Sequence, residues 1–190
     1  MIRSGLMRAI TYASTKHRNQ VRKVDHTPFI AHPYRVCMLL KEHQVNEDIA
    51  VAALLHDVVE DTDATLEEIE QIFGDTVRYL VSEVTETDKE IAWVDRKKQS
   101  IKKVSHCDYA VKLLVAADKI DNLQSMIDAE MVHGPSMWES FVGSREEQVW
   151  YYQSMFESIT HDLADDQWHP LFYLFQALLD KFTEGTYDFD

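Results

Sequence analysis

His56, Asp57, Glu60 and Asp61 put one imidazole and three carboxylates within a single short stretch. They close an apolar run, Ile49 to Leu55, that is otherwise built for burial. On a helix, His56 and Glu60 lie four apart, as do Asp57 and Asp61, and residues at that spacing are surface neighbours. Acids this close repel one another unless a cation or a proton holds them. The simplest such cation is a divalent metal, bound through histidine nitrogen and carboxylate oxygen. For one isolated His-Asp pair, a solvated helix end is the plainer reading, so metal chemistry calls for ligands elsewhere. Two positions offer them. His32 stands beside Ile30 and Pro33, where a packed or capping histidine is the alternative. Asp118 ends the run Leu113-Leu-Val-Ala-Ala, where an unpaired carboxylate is costly to bury. Lys119 or Lys112 could also pair with it. Together His32, His56, Asp57 and Asp118 make a mixed nitrogen and carboxylate set. Such a set suits one octahedral Mn²⁺, Fe²⁺ or Mg²⁺ per chain, with positions open to water, better than a closed thiolate zinc site.

The elements that must carry these residues read as helices. Glycine and proline are scarce, at 5 and 4, and the apolar period is helical nearly throughout. Leu6, Ile10 and Ala13 space as a first amphipathic helix, and Asn19 to Thr27 reads as a polar loop. Pro33 suits the first turn of a second helix, with His32 just before it. Asn46 is placed to cap a third, over residues 47–57. Thr65 and Glu68 form a capping box for a short helix stopped at Gly74, and Asp75 caps the next. Residues 86–92 read as a polar linker, 93–104 as a basic helix, and 109–126 as the helix bearing Asp118. Gly134-Pro135 breaks the chain before one long aromatic helix over 136–163. A last helix runs over 169–182. The expected fold is all-α, a bundle of about eight to ten helices. It forms a single domain over residues 1–190, with a core at 5–128 and aromatic C-terminal helices at 136–183.

Net charge is -14, which repels a nucleic-acid backbone and argues against duplex binding. Against that background, the local basic pair Arg22-Lys23 is a candidate phosphate site. Only Cys37 and Cys107 occur, so no disulfide framework is expected. No apolar run approaches membrane-span length and the N-terminus lacks a signal-peptide core, so a cytoplasmic protein with no membrane partner is expected. There is no glycine-rich phosphate loop.

In its longer motifs the sequence resembles the HD-domain metal-dependent phosphohydrolases, and among them the hydrolase domain of RelA/SpoT-type proteins and the stand-alone small alarmone hydrolases. The resemblance rests on Thr27-Pro-Phe-Ile-Ala-His-Pro33, Ala52-Ala-Leu-Leu-His-Asp-Val-Val-Glu-Asp61, Phe73-Gly74, Val81-Ser-Glu-Val-Thr85, Arg96-Lys97 and Ala117-Asp-Lys-Ile-Asp-Asn-Leu123, in register over about residues 5–128. It implies hydrolysis of the 3′-diphosphate of ppGpp or pppGpp to GDP or GTP plus pyrophosphate, usually with Mn²⁺. It also implies that His32, His56, Asp57 and Asp118 are the metal ligands and that Glu60 and Asp61 activate and orient the attacking water. Arg22 and Lys23 match the basic pair near the nucleotide, and Asn122 the asparagine near the ribose or metal shell. Arg96 and Lys97 are candidate substrate contacts, with an exposed helix face as the equal alternative, and Tyr151 is a candidate for the base. Asp121 stands where the family often has an aromatic or apolar residue, and residues 136–190 match poorly. The alternatives are a related phosphohydrolase acting on a (p)ppApp-type alarmone or the 2′-phosphate of NADPH, and a metal-free binding protein on an inherited fold. Homo-oligomerisation is left open.

Overall fold

The computed structural model describes residues 4–86, 90–185 and 187, with the side chain of Asp165 left aside. Among them the protein is helical, with a single isolated antiparallel bridge between Val21 and Pro28 and no strand. The helices are α1 Gly5–Lys16, α2 Ala31–Glu42, α3 Glu47–Leu55, α4 Val58–Asp61, α5 Leu66–Phe73, α6 Asp75–Val84, α7 Trp93–Val104, α8 Tyr109–His133, α9 Arg145–Thr160 and α10 Pro170–Glu184.

Helix α3 is the hub. Every residue from Ile49 to Leu55 is buried, and α1, α2, α6 and α8 all pack on it. Its alanines, Ala50, Ala52 and Ala53, are small enough to let four neighbours approach, while Leu54 and Leu55 fill the space between them. Full burial of each such leucine contributes about 1.5–3 kcal/mol. A hub surrounded on all sides is where a polar residue is most constrained. The catalytic-looking His56 follows directly on its last turn.

Helix α8 is the spine. At 25 residues it is about 37 Å long and packs on α2, α3, α6, α9 and α10. Asp108 caps its start by accepting from Val111 N. Gly134 ends it with φ 65°, a left-handed conformation that a side chain would strain, and Pro135 follows. The helix continues past the expected Met126 to His133, because Ile127, Ala129 and Met131 keep its apolar stripe going.

Four further boundaries differ from the sequence reading. The third helix is not continuous over 47–57: it stops at Leu55, and α4 restarts at Val58 after the His56-Asp57 step. His32 lies inside the first turn of α2 rather than before it. The expected helix over 136–163 is two elements. A 3₁₀ segment, Gly134–Ser140, leads through Gly143 at φ 90° to α9. Helix α9 opens on a capping box: Ser144 accepts from Glu147 N, and Glu147 accepts from Ser144 N. The aromatic periodicity masked that S-x-x-E signal. Within the expected linker, residues 87–89 lie outside the described residues. Gly74, rather than Asp75, occupies the cap position of α6.

Behind α8 the aromatic C-terminal half forms core. Tyr152, Phe156, Phe175 and Phe182 meet edge to face, and Glu130 binds Trp138 Nε1, Arg145 and Tyr187 to tie the 3₁₀ segment and α9 to α8.

Candidate metal centre

The site forms where α2, the end of α3 and the middle of α8 converge. His32 Nε2 and His56 Nε2 are 3.2 Å apart. His32 Nε2 lies 3.2 Å from Asp118 Oδ1 and 3.6 Å from Asp57 Oδ2. His56 Nε2 lies 3.2 Å from Asp57 Oδ2 and 3.6 Å from Asp118 Oδ1. All four expected ligands therefore meet, from helices up to 86 positions apart in the chain. Cis ligand atoms on a cation with bonds near 2.1 Å are separated by about 3 Å, so the spacing fits a single small ion.

The chemistry of the four atoms is a stronger test of fit. His56 Nδ1 is 2.7 Å from the carbonyl of Ala53, and His32 Nδ1 is 2.6 Å from Asp121 Oδ2. A carbonyl and a carboxylate only accept, so both Nδ1 atoms carry hydrogen. Both Nε2 atoms then turn lone pairs inward, towards two carboxylates. Four electron-rich atoms within contact distance need a cation or a proton between them, and the set fits a divalent metal.

Where no cation sits, the surrounding charges favour a proton. Burial opposes charge on His56, but the adjacent Asp57 and Asp118 outweigh it and raise its pKa well above the ordinary histidine value. Burial likewise works against Asp118, yet Lys119, His32 and His56 hold its carboxyl well below the usual range. Asp57 is lowered in the same way by His56 and then His32, against its own burial. A metal that binds here would displace a proton from His56 wherever that group is protonated. Calorimetric titration of Mn²⁺ in buffers of different ionisation enthalpy should then show proton release on binding, with affinity falling as pH falls through the raised pKa of His56. Binding enthalpies that do not change with buffer would contradict this protonation state.

The ligands open onto a cleft of about 390 Å³. Its walls carry Arg22, Lys23, Lys97 and Lys119, the carboxylates Glu60, Asp61, Glu83 and Glu86, and Asn122. Arg22 reaches it because residues 20–29 fold back as a short loop: Arg22 N donates to Thr27 O, and Phe29 N to Gln20 O. Arg22 Nη2 then donates to Asn122 Oδ1, and Asn122 Nδ2 donates to Asp118 Oδ1 at 2.6 Å. Asn122 thus links the basic loop to the candidate ligand Asp118 one helical turn behind it. Glu60 Oε2 accepts from the backbone N–H of Glu86. Burial pushes the Glu60 carboxyl above its ordinary value, with Glu86, Asp57 and Asp61 adding to the rise.

Two expected substrate contacts sit elsewhere. Arg96 does not line the cleft, and its Nε donates to Glu86 Oε2. Tyr151 is buried behind the wall, with Lys97 Nζ and Lys119 Nζ 5.1 and 5.6 Å from its ring centre. Lys97 lines the cleft and also binds Glu86 Oε1 at 2.7 Å. Arg96 and Lys97 together anchor the residue whose N–H holds Glu60. Three residues were not singled out as site residues from sequence: Lys119 (weighed only as a partner for Asp118), Glu86 and Asp121. Lys119 and Asp121 had a signal, being charges set beside Asp118 on an otherwise buried helix. Glu86 had none, since its role depends on a contact between α4 and the segment after α6.

A family model described as an HD domain matches residues 9–135. The chain belongs to the HD domain family. The match spans α1 to α8 and so every element that carries a candidate ligand. The mouse guanosine-3′,5′-bis(diphosphate) 3′-pyrophosphohydrolase MESH1 is 45% identical over 124 residues, 64% of this chain and 69% of that protein. The Drosophila melanogaster protein of the same name is 40% identical over 135 residues, 70% of this chain and 73% of its own length. A solved structure, described as a metazoan ortholog of SpoT that hydrolyzes ppGpp, superposes with a TM-score of 0.75 at 29% identity, covering 95% of this chain and 97% of the other. The family model thus ends near the end of α8, whereas the structural likeness extends over nearly the whole chain.

Proposed function

We propose that this HD domain hydrolyses the 3′-diphosphate of guanosine tetra- or pentaphosphate, releasing pyrophosphate and GDP or GTP, with Mn²⁺ as the working metal. The observation that carries the reading is the cluster of His32, His56 and Asp118, with Asp57 beside both histidines, in a cleft that also holds Glu60, Asp61 and four basic side chains. The names and identities of the relatives support the guanosine substrate.

His32, His56, Asp57 and Asp118 would hold the ion. When bound, it supplies Lewis-acid polarisation of a phosphoryl oxygen and an acidified water. Glu60 is suited to take the proton from the attacking water: its raised pKa makes it a better acceptor than an ordinary carboxylate, and the Glu86 N–H fixes its aim. Asp61 lines the same wall and would orient that water. Arg22, Lys23, Lys97 and Lys119 would neutralise charge on the phosphates as it builds in the transition state. With Asp57 and Asp118 included, the cleft carries six carboxylates against four basic side chains, so an anionic substrate is repelled until a dication is added. Nucleotide binding should accordingly require metal. No helix among the described residues is long and apolar enough to cross a membrane.

Pyrophosphate release from ppGpp with Mn²⁺, with and without chelator, tests the proposal. Chelator-sensitive release is expected. Metal-loaded protein that leaves ppGpp intact but cleaves ppApp or the 2′-phosphate of NADPH would move the substrate and keep the site. Metal-loaded protein inert on all three would refute the enzymatic reading.

A further inference from the structure

Behind the metal ligand His32 stands a second, differently built group. Asp121 is buried and places Oδ2 2.6 Å from His32 Nδ1. Arg35 grips the same carboxylate with both arms of its guanidinium: Nε donates to Oδ1 at 2.5 Å and Nη2 to Oδ2 at 3.0 Å. Arg35 is three residues after His32 on α2, and Asp121 three after Asp118 on α8. Each helix therefore contributes one inner ligand and one outer partner, and the two pairs cross. His56 has no such group, since its Nδ1 faces only the Ala53 carbonyl.

We propose that Asp121 is a positioning residue for the metal ligand His32, and that Arg35 holds it in place. A neutral imidazole has one N–H, and whichever nitrogen lacks it is the ligand. The Asp121 carboxylate accepts only, so it fixes the hydrogen on Nδ1 and leaves Nε2 free to face the other three ligands. It also sets the ring plane and makes the imidazole a stronger donor. The bidentate guanidinium keeps Asp121 charged and immobile, which a lysine at position 35 would not do as well. Arg35 is half-exposed on its own side, so its charge is reached from solvent while Asp121 is not. The proposal rests on the metal reading of the cluster and is independent of the substrate.

The simpler role for this trio is a clamp between α2 and α8, and the test separates the two. Mn²⁺ affinity of the full chain would be measured by electron paramagnetic resonance for wild type, Asp121→Asn and Arg35→Gln, beside the thermal midpoints of the metal-free proteins. ¹⁵N-histidine NMR of metal-free wild type above neutral pH would read the His32 tautomer. The expected results are hydrogen on Nδ1 of His32, a loss of about ten- to hundredfold in Mn²⁺ affinity for Asp121→Asn, and a smaller loss for Arg35→Gln. Affinity within about twofold of wild type in Asp121→Asn, with a lowered midpoint, would reduce the trio to a clamp and overturn the proposal. Hydrogen on Nε2 of His32 would overturn it as well, and that result is available even if the Asp121 variant does not fold. A wild-type protein that binds no Mn²⁺ would refute the metal reading itself, which the tautomer measurement distinguishes from failure of this inference.

Discussion

Asp118→Asn is expected to abolish both metal retention and turnover, with activity at limiting Mn²⁺ falling by at least about a thousandfold, or about 4 kcal/mol of transition-state stabilisation. Asp118 Oδ1 lies 3.2 Å from His32 Nε2 and is also the atom that Asn122 binds. Its other oxygen pairs with Lys119 Nζ at 2.6 Å. Asparagine keeps an acceptor for Lys119 while removing the anion that the metal needs. Alanine is the poorer probe. It would leave the partly buried Lys119 ammonium, beside Tyr151, without its carboxylate, which destabilises the fold. Metal content by mass spectrometry and initial rates across a Mn²⁺ titration would check the expectation, with circular dichroism confirming the fold. Wild-type turnover in Asp118→Asn at limiting metal would remove Asp118 from the ligand set.

Glu60→Gln is expected to separate chemistry from metal binding. Glu60 is not among the four convergent atoms, and its carboxylate is held by the Glu86 N–H, which a glutamine carbonyl can still satisfy. The variant should bind Mn²⁺ within about threefold of wild type and lose about 10²- to 10⁴-fold in kcat, the usual contribution of a positioned general base. KM should change far less, since Glu60 does not bind the phosphates. A variant with undiminished kcat would assign the proton to another group, with Asp61 the next to test. Joint loss of metal and turnover would instead make Glu60 a ligand.

Much of this site was legible before any coordinates, for a reason visible in particular residues. His56-Asp57 and Asp118 each interrupt an apolar run that burial would otherwise demand be continued. A charge placed there must be compensated, so its presence marks function more sharply than the same residue on a polar face. The cap of α3 at Asn46, the box at Thr65 and the stop at Gly74 are local chemistry and were read correctly from neighbours in the chain. The aromatic half misled because aromatic periodicity continued across Gly143 and Ser144, and the local capping signal was outvoted by the longer pattern.

What the sequence by itself determined was the kind of chemistry: an all-helical chain, two nitrogens and two carboxylates available to a metal, and an acidic pair beside them. Residue types and short spacings carry that information, because burial cost and helix periodicity act within a few positions. What only the tertiary structure decided was who faces whom. Arg96, expected at the substrate, binds Glu86, and Tyr151 lies buried beside the cleft rather than lining it. Asp121, an oddity in its own helix, became the partner of a histidine 89 positions away. Those roles depend on the angle at which α2 and α8 cross and on where the segment after α6 meets α4. Neither is set by local sequence. Both follow from how the small side chains of α3 let its neighbours close around it.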